Sequence, residues 1–353
     1  MKHRTQSANR VSVVNSDGHV IGIDLGATAV RAAVLSPKVH SGRQSVSAHG
    51  LGSVPLPDGA VVDGAVANPS AVTAALKLLW TENKFNCKRV VLGVTSQQVV
   101  VRDQKLPNLP PDQLRKTLPF QARDVIALPL EQALLDFSPV GPPDTATNTV
   151  TGLLTGIPKA PVVSAVTAVE KAGLTVARVD LAPFGLLRAI GTSGPAIEAL
   201  IDIGAHLTTI VIHTNGIARV VRVLPRGGAE WTMQLTEKTD IPYDEAEATK
   251  KAIGITGTTS AARTLKDAIR PIVTEIRGSI HFFAAQQRTT VERVALTGGS
   301  AALPGLAEYL REQLNLEVTV AQPMRHIADA SAQVRPGDES TAVAVGLAMG
   351  NTR

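Results

Sequence analysis

One short pattern occurs twice in this chain, and the repeat constrains the fold more than any other feature. Ile23–Ala27 (IDLGA) returns in the second half of the chain as Ile201–Ala205 (IDIGA). In each copy an apolar run ends in an acidic residue, and a glycine-bearing turn leads into a second apolar run, which is the pattern of a β-hairpin. The sequence therefore predicts two related halves, each built around the same hairpin.

Size and composition agree with a globular α/β protein of more than one part. A length of 353 residues exceeds what one core usually fills, and 44% of the residues are hydrophobic whereas only 18% are charged. Aromatic residues make up 3% of the chain, so the core has to be built from Val, Leu, Ile and Ala, as in buried sheets.

Composition also excludes several classes of function. Cys87 is the only cysteine, which rules out disulfides within the chain and a four-cysteine zinc site and favours a reducing compartment. The sequence predicts neither a signal peptide nor a membrane-spanning helix, so we expect a cytoplasmic protein that reaches the membrane only through a partner. The net charge of +5 favours acidic partners, but Arg and Lys do not cluster with aromatic residues, so nucleic acid is not expected.

The paired hairpins suggest a site for a triphosphate. A glycine turn lets backbone N–H groups approach phosphate oxygens closely. Asp24 and Asp202 would repel a phosphate directly, but each can face one through a hydrated Mg²⁺, which prefers one or two carboxylates together with waters and phosphates. Two such hairpins that face each other would hold Mg²⁺ and ATP from both sides. Either copy alone is also explained as an ordinary strand end.

Two further segments are candidates for the nucleoside. Around Gly298-Gly299 a buried strand stops at a bare backbone surface, against which adenine can lie flat, although a simple strand–helix loop has the same pattern. Glu247 and Lys250 share a face of a predicted helix and are placed to bind ribose hydroxyls. The plainer interpretation of these two residues is a solvated ion pair.

In this order, these segments resemble the actin-like ATPase superfamily, whose fold is a duplicated ribonuclease H-like α/β unit, and more narrowly the PilM family of type IV pilus assembly. The similarity extends from about Val20 to Gly346, and the segments that carry it are Ile21–Arg31, Leu118–Arg123, Val179–Phe184, Leu200–Thr209, Arg226–Gly228, Asp244–Lys250, Glu275–Arg277 and Leu296–Gly305. The resemblance implies a two-domain fold with a small α+β subdomain inserted in the first half. The expected division is a polar tail at 1–18, a first half at 19–87 and 177–198, an inserted subdomain at 88–176, and a second half at 199–353.

The resemblance also implies roles for single residues. Asp24 and Asp202 would organise Mg²⁺ through water. The phosphates would lie against Gly26, Ala27, Thr28 and Ala29 of the first turn and Gly204, Ala205 and His206 of the second. The nucleoside would be surrounded by Gly227, Gly228, Glu247, Lys250, Gly298, Gly299, Ser300 and Ala301. The implied partner is the N-terminal cytoplasmic peptide of a PilN-like membrane protein, near residues 88–137.

Two departures from the family pattern weaken the case for hydrolysis. Ala27 stands where relatives carry Ser, and Ala182 where many relatives carry an acid that helps to position water. Backbone N–H groups and metal can still bind ATP, whereas water activation needs a placed side chain. We therefore expect an ATP-gated adaptor that is at most a slow ATPase. The alternatives are an FtsA-like filament-forming ATPase, since actin-like halves can stack head to tail, a sugar or metabolite kinase of the same fold, and a scaffold without nucleotide.

Overall fold

A computed structural model describes residues 18–40, 43–324, 327 and 338–350 of the chain, so the predicted polar tail lies outside the described residues except for Gly18. The strands are β1 (Val20–Leu25), β2 (Ala29–His40), β3 (Arg43–Pro55), β4 (Val61–Val62), β5 (Ala65–Val66), β6 (Arg89–Val94), β7 (Val100–Pro107), β8 (Ala133–Pro139), β9 (Thr149–Pro158), β10 (Thr175–Leu181), β11 (Ile197–Ile203), β12 (Thr208–Thr214), β13 (Ile217–Leu224), β14 (Arg293–Thr297) and β15 (Glu317–Val320). The helices are α1 (Pro69–Glu82), α2 (Pro111–Ala122), α3 (Lys159–Lys171), α4 (Ala182–Ile190), α5 (Gly228–Thr239), α6 (Tyr243–Ile253), α7 (Ser260–Gln287), α8 (Leu306–Leu314) and α9 (Ala342–Met349).

The two halves are built on sheets of identical topology. The first sheet has the order β3-β2-β1-β6-β10 and the second β13-β12-β11-β14-β15. In both, the first three strands form an antiparallel meander and the last two run parallel to the central strand. The duplication that the repeated pattern predicts is therefore confirmed at the level of strand order.

Burial explains why the repeated acidic residues emerge at the same place in each half. The central strands β1 and β11 are covered on both faces, and Ile21, Ile23, Ile201 and Ile203 have no accessible surface. A strand buried on both faces presents polar groups only where it ends. The acid at the carboxyl end of each central strand is therefore brought to the edge of its sheet.

Helix α9 belongs to the first half, although it follows the second half in sequence. All eight of its residues are buried, and it packs on α4 and β1. Gly346 crosses α4 so closely that a Cβ would collide with the carbonyl of Gly185, and Gly22 of β1 leaves similar space for the backbone of Ala344. The predicted second half of 199–353 is therefore wrong at its end, because a helix that is apolar on every face needs partners on every side and finds them in the first half.

The inserted unit is smaller than the predicted 88–176. Its three-stranded sheet has the order β7-β9-β8 and, together with α2, encloses a separate small core. The elements at both ends of the predicted segment lie in the first half, since β6 pairs with β1 and β10, and α3 packs on α1. These strand pairings correct the predicted boundaries and restrict the inserted sheet to the stretch from β7 to β9.

The inserted unit also contacts the second half. Its edge strand β7 lies against β13, the edge strand of the second sheet, and Arg219 Nη1 is 3.6 Å from Asp103 Oδ2. The same unit thus contacts both halves. In the part of the chain that the structure describes, no helix is long and apolar enough to cross a membrane.

Candidate functional site

A cavity of about 780 Å³ lies between the two halves, and both repeated turns form part of its wall. Of the residues predicted for the site, those that line it are Asp24, Gly26, Ala27, Thr28, Asp202, Gly204, Ala205, His206, Gly228, Glu247, Lys250, Gly298, Gly299 and Ser300. Ala29, Gly227 and Ala301 are buried outside this wall. Gly227 packs against the carbonyls of Gly204 and Ala205, so it supports the second turn from behind.

The two turns have the same hydrogen-bond geometry. Gly26 N donates to Ala29 O at 3.0 Å, and Gly204 N donates to Leu207 O at 2.9 Å. Each turn holds two residues between these bonded positions. Among the described residues, the N–H groups of Ala27, Thr28, Ala205 and His206 have no acceptor. Both walls of the cavity thus offer backbone donors of the kind that bind anionic oxygens.

The carboxylates of Asp24 and Asp202 repel each other. The pKa of Asp202 is raised to about 7 by burial and by the charge of Asp24, against the opposing influence of Arg31. Burial also raises the pKa of Asp24, again opposed by Arg31. The donor set of two facing carboxylates beside free N–H groups fits a divalent cation that shares its coordination with phosphate and water.

Arg31 was not predicted as a site residue. It lies directly opposite Asp24 in the β1–β2 ladder, and its Nη1 is 3.8 Å from Asp24 Oδ2 while its Nε donates to Ser340 Oγ at 3.2 Å. The register of the β1–β2 hairpin could have identified Arg31, because residues paired across two strands have side chains on the same face of the sheet. Arg31 adds a positive charge on the first-half wall, near the place of the predicted phosphates.

The segment after β14 is shaped by one glycine. Gly298 has a φ of +92°, and a Cβ there would collide with Asp202 Oδ1 and lie 2.7 Å from Ile203 N. Ser300 N donates to Ile203 O at 3.0 Å, which ties the segment to the second hairpin. Helix α8 begins only at Leu306, because Gly305 adopts a φ of +84° at its N-cap. Glycine at 298 is therefore what allows this loop to contact the carboxylate of Asp202.

The environment of Lys250 differs from both interpretations of the sequence, which were a ribose contact and a solvated ion pair. Its side chain is only 7% exposed, and Nζ donates to Gly228 O at 2.9 Å and Thr232 Oγ1 at 2.7 Å and lies 2.6 Å from Glu247 Oε2. Burial by itself would raise the pKa of Glu247, but the hydrogen bonds from Lys250 and Thr232 outweigh it and lower that pKa. Lys250 is therefore shielded from solvent, whereas Glu247 is partly exposed, and all three N–H groups of Lys250 are used in holding α6 against α5.

Several other residues of the wall were missed by sequence reasoning. They are Asp63, Gly64, Thr95, Thr209, Tyr243, Lys251 and Ser340. Asp63 and Gly64 form the tip of the small hairpin β4–β5, with φ values of +52° and +80°. An Asp-Gly pair between two apolar dipeptides is a recognisable hairpin signal, so this part of the wall was readable from the sequence.

The matched sheets and the facing turns define an actin-like protein, and solved structures agree with this class. MreB5 of Spiroplasma citri, solved with bound ADP, superimposes with a TM-score of 0.52 at 14% identity, covering 93% of this chain and 94% of that one. The predicted α/β actin-like fold with two duplicated halves is confirmed.

Within this class the chain belongs to the family described as type IV pilus assembly protein PilM, whose pattern matches residues 22–352. A structure titled as the PilM–PilN type IV pilus biogenesis complex superimposes with a TM-score of 0.78 at 25% identity, covering 94% of this chain and 97% of that one. The cell division protein FtsA of Bacillus subtilis is 24% identical over 288 residues, which is 68% of this chain. The match spans 64% of that FtsA, just under two thirds of its length.

Proposed function

We propose that this protein binds ATP with Mg²⁺ in the cavity between its halves and, as a PilM-type component of type IV pilus assembly, couples the nucleotide state to docking of a PilN-like membrane protein. The partner segment would be the N-terminal cytoplasmic peptide of that protein. This assigns the chain a role as a nucleotide-controlled adaptor at the inner face of the cell membrane.

The symmetry of the two turns across the cavity is the observation that carries the nucleotide part. Each turn offers two N–H groups without an acceptor among the described residues, and each follows a partly buried carboxylate. A volume of about 780 Å³ falls in the range of small-molecule sites. Bound Mg²⁺ would neutralise charge on the phosphates. The two aspartates would hold its hydration shell, and the turns would bind phosphate oxygens.

The wall of the cavity supports binding more than hydrolysis. Ala182 and Leu186 line the first-half side at the start of α4, where an acid would be needed to orient an attacking water. Ala27 supplies a backbone N–H but no hydroxyl. Catalysis of phosphoryl transfer depends on positioning the attacking water and the phosphate. Because the side chains of Ala27, Ala182 and Leu186 cannot form hydrogen bonds, we expect hydrolysis to be slow.

The inserted unit is our proposed docking face for the peptide, around residues 88–137. Two large apolar side chains are exposed on its adjacent elements: Phe120 of α2 at 70% and Leu134 of β8 at 40%. Exposed apolar groups of this size typically mark contact surfaces. A solved relative of this family is titled as a complex with PilN, which is the support for the identity of the partner.

A peptide titration tests both parts of the proposal. We expect a synthetic peptide from the N-terminus of the organism's PilN-like protein to bind several-fold more tightly in Mg-ATP than without nucleotide, by isothermal titration calorimetry. Coupling between two sites is typically about 5- to 150-fold. Phe120→Ala should weaken binding of the peptide. The matched control is Phe282→Ala on α7, where the side chain is 59% exposed, and this variant should bind the peptide as the wild type does. Equal peptide affinity with and without nucleotide would contradict the proposed coupling. If the peptide does not bind at all, the proposed identity of the partner is wrong.

The contact between β7 and β13 gives the coupling a physical route. If nucleotide moves the second half relative to the first, it also moves β13 against the inserted unit. Asp103 and Arg219 lie in this contact, and both are about one third exposed. Because a partly exposed ion pair contributes about 0.2–1 kcal/mol, we expect Arg219→Glu to change the effect of Mg-ATP on peptide affinity by a factor of up to about five.

The reciprocal variant makes this second test specific. Asp103→Arg combined with Arg219→Glu restores an attractive pair and should bring the nucleotide effect back towards the wild-type value. If both single reversals leave the effect of Mg-ATP unchanged, the β7–β13 contact does not carry the coupling.

A further inference from the structure

The hydroxyl group of Thr95 has no hydrogen-bond partner in the part of the chain that the structure describes. Thr95 follows β6 directly and lines the cavity, and its Oγ1 is enclosed by protein. Buried polar groups are almost always paired, so one that is unpaired in a cavity wall is a candidate contact for a ligand.

The position of Thr95 is set by two neighbours. Strands β1 and β6 are parallel with Ile23 opposite Leu92, and both Gly26 of the first turn and Thr95 follow directly after the ends of these neighbouring strands. On its other side, a Cβ at Gly64 would lie 2.6 Å from Thr95 O and 2.9 Å from Thr95 Cγ2. The tip of the β4–β5 hairpin therefore packs directly on Thr95. The residue is held between that hairpin and the first phosphate turn.

The orientation of a bound nucleotide follows from where its other contacts lie. Gly228, Glu247 and Gly299, the residues predicted around the nucleoside, all belong to the second half. A phosphate chain that starts there and reaches the first turn ends against the first-half wall. The terminal phosphate is thus the part of a triphosphate that comes nearest to Thr95.

We propose that Thr95 is a specificity-determining residue that donates its hydroxyl to the terminal phosphate, so that the site distinguishes a nucleoside triphosphate from a diphosphate. This rests on the nucleotide binding proposed above. Because Oγ1 is enclosed by protein in the structure, it would reach the phosphate by a rotation about χ1 from one staggered position of the β-branched side chain to another. A triphosphate supplies the missing acceptor, whereas a diphosphate leaves the hydroxyl unpaired.

The test measures the affinities of Mg-ATP and Mg-ADP by calorimetry in three variants. Thr95→Val keeps the shape and removes the hydroxyl, so we expect Mg-ATP to bind about tenfold more weakly, as for a lost hydrogen bond to a charged group, and Mg-ADP to bind as in the wild type. Thr95→Ser should retain both affinities. Thr236→Val is the matched control, because Thr236 Oγ1 is also buried without a partner among the described residues but lies in α5, outside the cavity wall; both affinities should stay unchanged.

The outcomes separate this inference from the proposed function. If the wild type binds both nucleotides and Thr95→Val leaves them unchanged, or weakens both equally, the assignment to the terminal phosphate is overturned while nucleotide binding stands. If the wild type binds neither nucleotide, the proposed function fails and this inference fails with it. An unchanged or raised Tm of ligand-free Thr95→Val would show that any loss of Mg-ATP affinity does not come from misfolding.

Discussion

Asp202→Asn is expected to weaken Mg²⁺-dependent ATP binding by about 10- to 100-fold while it raises the Tm of the ligand-free protein. The two effects have one cause. Asp202 is partly buried near Asp24, and the loss of solvent together with that like charge makes its ionised form unfavourable unless a cation is present. Asn keeps the shape but removes the charge, so the repulsion and the attraction for Mg²⁺ disappear together. Calorimetry with and without Mg²⁺, combined with thermal unfolding, measures both.

The same carboxylate should make ligand-free stability depend on pH. The folded protein keeps a proton on Asp202 up to about pH 7, whereas the unfolded chain loses it near pH 4, at about the usual value. Between these values the folded state binds more protons, so the free energy of unfolding falls as pH rises from about 4 to about 7. The decline should be shallower in Asp202→Asn, and Mg-ATP affinity of the wild type should increase as pH rises through 7.

Asp112→Asn is the matched control, because it makes the same chemical change on α2 at a side chain that is 91% exposed. It should leave the nucleotide affinity, the Tm and the pH profile as they are in the wild type. Unchanged Mg-ATP binding in Asp202→Asn would contradict the assigned role of the paired turns, whatever the stability does.

Sequence reasoning predicted most of the fold because the two sheets are patterned locally. It missed β3, where Gly50 and Gly52 lower the strand propensity of the segment. The structure shows why glycine is needed there: a Cβ on Gly50 would lie 2.9 Å from the ring of Phe85, and one on Gly52 would lie 2.7 Å from Leu79. The glycines that obscure the strand are thus required by helix α1 and the segment after it.

Helices α4 and α9 show a second limit of sequence reasoning. Both are apolar on nearly every face, so neither has the alternation of apolar and polar positions from which an amphipathic helix is predicted. Sequence reasoning did not predict α4, and it placed the segment that forms α9 in the second half, whereas the helix packs on α4 and β1. Which elements surround a fully buried helix is decided by the packing of the whole chain, which local sequence does not contain.

For the candidate site, the sequence located backbone turns better than side chains. The turns follow from glycines at strand ends, and these residues lie in the cavity wall. The setting of a long side chain depends instead on partners far away in sequence: Lys250 is held by Gly228 and Thr232, and Arg31 by Ser340. That is why the sequence did not show that the donors of Lys250 are used within the protein, and why Arg31 was overlooked.

Gly298→Ala is expected to lower the stability of the protein by about 2–4 kcal/mol and to abolish measurable nucleotide binding. The added Cβ meets two obstacles at once. The residue has a φ of +92°, a conformation that costs an L side chain energy, and the new carbon would overlap Asp202 Oδ1 and the backbone of Ile203. The surrounding chain cannot move to make room for this carbon without displacing the carboxylate of Asp202, which would hold Mg²⁺.

The neighbouring glycine provides the control that separates backbone strain from a general effect on this loop. Gly299 has no such φ, and a Cβ there meets nothing within 4 Å, so Gly299→Ala should leave the Tm unchanged. Because Gly299 lines the cavity where the nucleoside is expected, the added methyl group should lower the affinity for Mg-ATP by less than about tenfold. Thermal unfolding measures the stability of the two variants, and calorimetry measures their affinity for Mg-ATP. If Gly298→Ala proves as stable and binds ATP as well as Gly299→Ala, the close approach of this loop to Asp202 does not determine the geometry of the site, because a methyl group at the point of contact would then be tolerated.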